Sequence, residues 1–355
     1  MKSLRILSML AVGLMLASGA VAQTKKKPKI VILATGGTIA GASASQTDAG
    51  YQSGAVGVDA LLQAVPQLKD LADCTGEQVA SIGSQDMNDE VWLKLAKRVN
   101  ELLASADVDG VAITHGTDTL EETSYFLHLV VKSDKPVVMT GSMRPSTAMS
   151  ADGPLNIYNA VGIAADPKAR GRGVLVTIDD DIHSAHDLVK THTTDVGTFS
   201  SGEPGNIGAV LFGVSTWYRT PAQRHTKASE LGIPATQATL PRVDIIYAHA
   251  NMSPDIITSA AKSGAKGIVI AGVGDGNLTA PAMEAVKQVI AQGVVVVRSS
   301  RVNGGIIRRN IEVNDDQTGT VASMELNPAK ARVLLQLVLL KTSDAKKVQD
   351  YFDRY

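Results

Sequence analysis

Short apolar runs alternate with polar, glycine-bearing stretches from residue 30 onward. Ile30-Val31-Ile32-Leu33, Val79–Ile82, Gly110–Thr114, Val137–Thr140 and Val174–Ile178 are each too short for a helix and rich in β-branched residues, so they predict strands. Helical periods lie between them. Asn88 caps one that has Asp89 and Glu90 in its first turn and Trp92, Leu95, Ala96, Val99, Leu102 and Leu103 on one face. A second carries Tyr125, Phe126, Leu129 and Val130, and a third opens at Asp152-Gly153-Pro154 with proline in its first turn. From about Thr220 to Leu240 the composition shifts to Pro, Thr, Ala and basic residues, which marks a domain boundary. Beyond it strands at Val243–Tyr247, Gly267–Ala271 and Val294–Val297 alternate with helices at Pro254–Lys262 and Pro281–Gln292. Two helices close the chain, one opened by Asn327 as cap and Pro328 at its first position. The prediction is an α/β protein. A larger N-terminal domain with a mixed sheet covers 23–219, a linker covers 220–241, and a smaller C-terminal domain with a parallel sheet covers 242–355.

Residues 1–22 break this pattern. Lys2 and Arg5 precede an apolar stretch from Ile6 to Ala17, and Ala20-Val21-Ala22 follows. That order of basic, apolar and small residues predicts a cleavable signal peptide, because the apolar run is shorter than the ~20 residues of a spanning helix. The expectation is therefore a periplasmic or secreted protein. Loss of Lys2 and Arg5 leaves the mature chain slightly acidic, and no basic patch points to nucleic acid. Cys74 is the single cysteine, so it forms no internal disulfide, and with no His-Cys cluster at ligand spacing it suggests no metal site. It reads as a buried, inert thiol.

The chemistry gathers at strand ends. Ala34-Thr35-Gly36-Gly37-Thr38 stops the first strand with paired glycines and delivers the Thr38 hydroxyl into the crevice of an open α/β sheet. Thr114-His115-Gly116-Thr117 repeats the T-x-G-T pattern at the end of another strand. Asp118 follows it, and Asp118-Thr119-Leu120-Glu121 has capping-box spacing, so a helix N-cap accounts for that aspartate as readily as catalysis does. Ser84 and Gln85 also lie at a strand end, where they either bind substrate or satisfy loop backbone. Tyr51 sits in a polar stretch from Gly41 to Gly57 that has no helical or strand period, where it either closes over a site or packs the loop down. Lys190, amid Thr191, Thr193 and Thr194, is either a solvated lysine or a base. Asp179-Asp180-Asp181 reads as a solvated turn. Gly272-Val273-Gly274-Asp275-Gly276-Asn277 lacks the third glycine of a dinucleotide loop.

Ile32 to Gly41 and Ile113 to Glu122 resemble the two signature stretches of the bacterial type II L-asparaginases, an exported branch of the asparaginase/glutaminase amidohydrolases. The likeness continues through Gly83–Asp89, Val138–Pro145, Lys190–Asp195 and Arg298–Arg301. It implies hydrolysis of L-asparagine to L-aspartate and ammonia, without cofactor or metal, and with neither nucleic acid nor membrane as partner. By this resemblance Thr38 is the nucleophile and Tyr51 the tyrosine of a flexible lid that assists it. Thr117, Asp118 and Lys190 form a second catalytic group. Ser84, Gln85 and Asp118 hold the substrate's α-amino and α-carboxylate groups, while Asn277 and Glu312 come from a neighbouring subunit of a homotetramer built as a dimer of dimers. Thr279 stands where asparagine-selective members often carry a bulkier tyrosine, so glutaminase side activity is expected. The alternative is a periplasmic amino-acid-binding protein without catalysis, which leaves the two strand-end threonines, the lysine and the tyrosine unexplained.

Overall fold

The computed structural model describes residues 26–47 and 50–355, so the leader expected at 1–22 lies outside them. The N-terminal strands are β1 (Lys29–Gly36), β2 (Asp73–Ile82), β3 (Gly110–Thr114), β4 (Val137–Thr140), β5 (Val174–Ile178), β6 (Asp181–Ser184), the ribbon of β7 (Val189–Lys190) with β8 (Phe199–Ser200), β9 (Gly208–Leu211) and β10 (Val214–Trp217). Eight of them form one mixed sheet in the order β10-β9-β6-β5-β4-β3-β1-β2. The run from β2 to β5 is parallel, and β6, β9 and β10 join it antiparallel. The smaller sheet is wholly parallel, with β11 (Val243–Tyr247), β12 (Gly267–Gly272), β13 (Val295–Ser300) and β14 (Val321–Ala322) in sequence order. This is the α/β architecture expected, with a larger mixed-sheet unit and a smaller parallel one.

Ten α-helices occur among the described residues: α1 (Val58–Ala64), α2 (Leu68–Leu71), α3 (Asp89–Ala104), α4 (Leu120–Val130), α5 (Gly153–Ala165), α6 (Asp255–Lys262), α7 (Ala280–Ala291), α8 (Asp315–Thr318), α9 (Pro328–Val338) and α10 (Ala345–Phe352). Alternation along β1 sends Val31 and Leu33 to the face covered by α3 and α4, and Ile30, Ile32 and Ala34 to the face covered by α5. The first of these cores does not stop at the domain. It runs through α4 and α9 to Val269, Val295 and Val297 of the smaller sheet, so one apolar interior joins the two sheets. The face predicted for α3 is the face that is buried, and Asn88 caps it by accepting from Val91 N at 3.1 Å. Asn327 caps α9 in the same way, at 3.0 Å from Lys330 N.

Three local expectations change. β2 begins at Asp73 rather than Val79, because it is an edge strand whose polar, partly exposed Thr75, Glu77 and Gln78 hide its pattern. β13 runs past Val297 through Arg298-Ser299-Ser300, polar residues that are buried because each finds a partner. Cys74, on β2, is half-buried rather than buried, and burial and then the neighbouring Asp73 carboxylate push its thiol up to about 11, which disfavours the nucleophilic thiolate.

Candidate active site

Two glycine turns meet at the ends of β1 and β3, which are hydrogen-bonded neighbours. Gly36 and Gly37 have φ of +107° and +81°, and a Cβ on Gly37 would stand 2.3 Å from the Gly116 Cα. The turns are thus packed backbone on backbone, which only glycine allows. Thr35 Oγ1 donates to the Thr114 carbonyl at 3.0 Å and ties the two T-x-G-T stretches together. The echo in sequence is an echo in space: Thr38 and Thr117 emerge, both buried, at one edge of the sheet. Between them His115 is fully enclosed, its Nδ1 2.7 Å from the Gly116 carbonyl, and burial pushes its pKa down to about 4, so it is neutral.

Thr38 Oγ1 lies 2.7 Å from Tyr51 Oη, with either atom able to donate. The ring passes so close to Gly41 that a Cβ there would meet Tyr51 Cδ2 at 2.8 Å. On the second turn the Lys190 ammonium donates to Thr117 Oγ1 at 3.0 Å and to Asp118 Oδ1 at 2.6 Å. Lys190 is therefore no solvated surface lysine. Its side chain is 17% exposed while that of Asp118 is 61% exposed, so the carboxylate faces outward toward whatever enters.

The capping reading of Asp118 fails. The N-cap of α4 is Thr119, and no side chain makes the cap hydrogen bond there. Asp118 has turned to Lys190 because an ammonium is a stronger partner for a carboxylate than a backbone amide. Ser84 instead holds the turn that leads into the helix: Ser84 Oγ accepts from Asp118 N at 3.1 Å and the Ser84 carbonyl accepts from the Thr119 hydroxyl at 2.7 Å. The Asp118 N–H is thus already engaged. Gln85 is exposed and folds back over Gly83, where a Cβ would meet its amide at 2.4 Å.

Asn277 and Glu312 hydrogen-bond to each other through Asn277 Nδ2 and Glu312 Oε2. No hydrogen bond joins either to Thr38, Tyr51, Thr117, Asp118 or Lys190 among the described residues. What aligns the pair is Arg298, which the sequence analysis names only within the family-like stretch Arg298–Arg301, without a role. Its guanidinium, 1% exposed, grips Asp315 at 2.7 and 2.8 Å and donates to the Asp275 carbonyl at 2.9 Å, two residues before Asn277. Asp315 also accepts from Asn310 N at 3.0 Å, two residues before Glu312. Burial works against the Asp315 charge, and the bonds from Arg298 and Thr320 overcome it to hold the carboxyl below its ordinary range. Thr279 precedes α7, and its Oγ1 is buried without a partner. A cavity of about 560 Å³ lies between the two sheets' loops, lined by Val189 and Thr191, the neighbours of Lys190, and by Ser299 and Ser300, which follow Arg298.

A two-domain α/β chain with hydroxyl, carboxylate and ammonium groups converging at strand ends has the equipment of a hydrolase that uses side-chain nucleophiles. Comparison with known proteins agrees. The family described as Asparaginase, N-terminal matches residues 29–223, and that described as Glutaminase/Asparaginase C-terminal domain matches residues 242–352. L-asparaginase 2 of Escherichia coli is 51% identical over 329 residues, covering 92% of this chain and 93% of that one. Glutaminase-asparaginase of Pseudomonas fluorescens is 49% identical over 336 residues, covering 94% and 92%. The crystal structure of a probable cytoplasmic L-asparaginase from Campylobacter jejuni superposes with a TM-score of 0.90 at 47% identity, covering 93% of this chain and all of that one. The chain belongs to the asparaginase/glutaminase amidohydrolase family, and it is an enzyme; nothing supports the reading as a non-catalytic binding protein. The same comparison corrects one expectation. A relative this similar is described as cytoplasmic, against the periplasmic or secreted location expected from residues 1–22.

Proposed function

We propose that the protein hydrolyses L-asparagine to L-aspartate and ammonia, and L-glutamine to L-glutamate and ammonia, with Thr38 as nucleophile. The observation that carries this is the 2.7 Å contact between Thr38 Oγ1 and Tyr51 Oη, a nucleophile and a proton acceptor already in reach. Thr38 Oγ attacks the side-chain amide carbon while its proton passes to the Tyr51 oxygen, which gives up its own hydroxyl proton to the amide nitrogen. Collapse of the tetrahedral intermediate breaks the C–N bond, and the nitrogen leaves with that proton as ammonia. The acyl-threonine ester is then hydrolysed by water, whose proton passes through the Tyr51 hydroxyl to Thr38 Oγ as the ester C–O bond breaks, while the Lys190 ammonium, bonded to Thr117 Oγ1, holds Thr117 at the reacting carbonyl.

In this reading Asp118, the most outward-facing of these groups, receives the substrate ammonium. Ser84, whose oxygen accepts from Asp118 N, keeps its own O–H proton for the substrate carboxylate, and Gln85 contributes its amide. Asn277 and Glu312 complete the ammonium site from a neighbouring subunit of a homotetramer, which accounts for their lack of contact with Thr38 in their own chain. Ammonia release from L-asparagine by the wild type and by Thr38→Ala tests the assignment. Turnover by the wild type and none by the variant is expected; equal turnover sinks Thr38. Mass spectrometry during turnover of a slow amide tests the covalent step, and a lasting lack of adduct on Thr38 would count against it.

A further inference from the structure

Glu121 stands at the spacing of a capping box and caps nothing. Its two carboxylate oxygens point to two other elements. Oε2 accepts the backbone N–H of Lys190 at 2.9 Å, and Oε1 accepts Asn327 Nδ2 at 3.1 Å. Asn327 is the N-cap of α9. One turn further along α9, the Lys330 ammonium is 2% exposed and donates to the His186 carbonyl at 2.6 Å and to the Leu188 carbonyl. Burial pushes Lys330 down to about 8, against the opposing pull of the Glu121 and Asp187 carboxylates. Segment 186–190 is thereby held by α4 on one side and by α9 of the other domain on the other.

Such anchoring answers a need. β7 is two residues long and pairs only with the two residues of β8, too short a ladder to fix a side chain's position. Lysine adds four flexible torsions of its own. Yet Lys190 Nζ meets Thr117 Oγ1 at 3.0 Å and Asp118 Oδ1 at 2.6 Å. Glu121 lies one turn after both of those residues, at the start of α4, so its carboxylate measures the Lys190 backbone against the same stretch of chain that carries the lysine's partners.

We propose that Glu121, seated by Asn327, is a positioning residue that, together with the grip of Lys330 on the His186 and Leu188 carbonyls, sets Lys190 in register with Thr117 and Asp118 and ties that register to the C-terminal domain. The inference rests on the reading of Lys190 as part of the reacting machinery. Its test is a double-mutant cycle with kcat and KM measured for L-asparagine. Glu121→Ala is expected to lower kcat about 30-fold with KM little changed, the scale of a sub-ångström misplacement. Glu121→Gln, whose amide oxygen still accepts the Lys190 N–H, is expected to stay within about threefold of wild type. Glu121→Ala added to Lys190→Met should cost nothing beyond Lys190→Met alone, because a residue that acts through Lys190 has nothing left to position. If the second substitution instead costs its full factor again, Glu121 serves the fold at large and the proposal is overturned. Should Lys190→Met abolish turnover while Glu121→Ala matches wild type, the positioning role alone falls. Wild-type kcat in Lys190→Met would overturn the reading of Lys190 and the inference with it.

Discussion

The hydroxyl oxygens of Thr38 and Tyr51 meet at 2.7 Å although Tyr51 is 43% exposed, so the contact is a specific one rather than a result of crowding. Removing only the phenolic oxygen, in Tyr51→Phe, should lower kcat about 100-fold, within the range of a lost proton acceptor, and leave the melting temperature unchanged. Gly41→Ala should mimic it from a distance, since the new Cβ would meet the tyrosine ring at 2.8 Å. Steady-state kinetics beside thermal melts would check both.

Gly37→Ala should destabilise the protein by at least about 2 kcal/mol, from the positive φ and from a Cβ set 2.3 Å from Gly116 Cα. Chemical denaturation measures this. A variant as stable as wild type would show that the two turns can part without cost.

Acid should unfold the protein through its buried histidines. Burial holds His115 and His183 down to about 4, whereas the unfolded chain titrates them near 6.5. Between those values the unfolded state takes up protons that the native state refuses, so stability falls as pH drops from 6.5 to 4 and is fully present above 6.5. Each group contributes up to about 3 kcal/mol to that fall. Urea midpoints of wild type and His183→Gln at pH 7 and pH 4.5 test it: the variant should lose less on acidification, and equal losses would refute the assignment.

Asp315→Ala should cost about 3–5 kcal/mol, because it strands the Arg298 guanidinium, 1% exposed, without its counter-charge. It should also raise KM, since the same pair anchors the loops that carry Asn277 and Glu312. Denaturation and kinetics on one sample separate the two effects.

Thr279→Tyr should lower the ratio of kcat/KM for glutamine over asparagine about 10-fold or more, the scale of closing space for one methylene. An unchanged ratio would remove Thr279 from the account of selectivity.

Thr38, Tyr51, Thr117, Asp118 and Lys190 were all named from the sequence, yet for different reasons. Glycine turns at strand ends pointed to the two threonines by geometry alone. Tyr51 and Lys190 had no such local mark and were singled out firmly only by resemblance, since a loop tyrosine and a lysine amid threonines look alike whether they serve a site or solvent. Asp118 was misread in part. Its spacing to Glu121 is that of a helix cap, and spacing cannot register that a lysine far along the chain competes for the same carboxylate.

Sequence by itself determined the parallel strands β1–β5 and β11–β13, the helix faces and the glycine turns, because hydrophobic period and backbone sterics act between near neighbours, whereas the short strands β6–β10 and β14 carry too little period to be read. Tertiary structure alone decided which polar groups meet: Lys190 with Asp118, Glu121 with Lys190 and Asn327, Arg298 with Asp315. A charge's partner is set by distance in space, and desolvation makes the choice binding once the groups are buried.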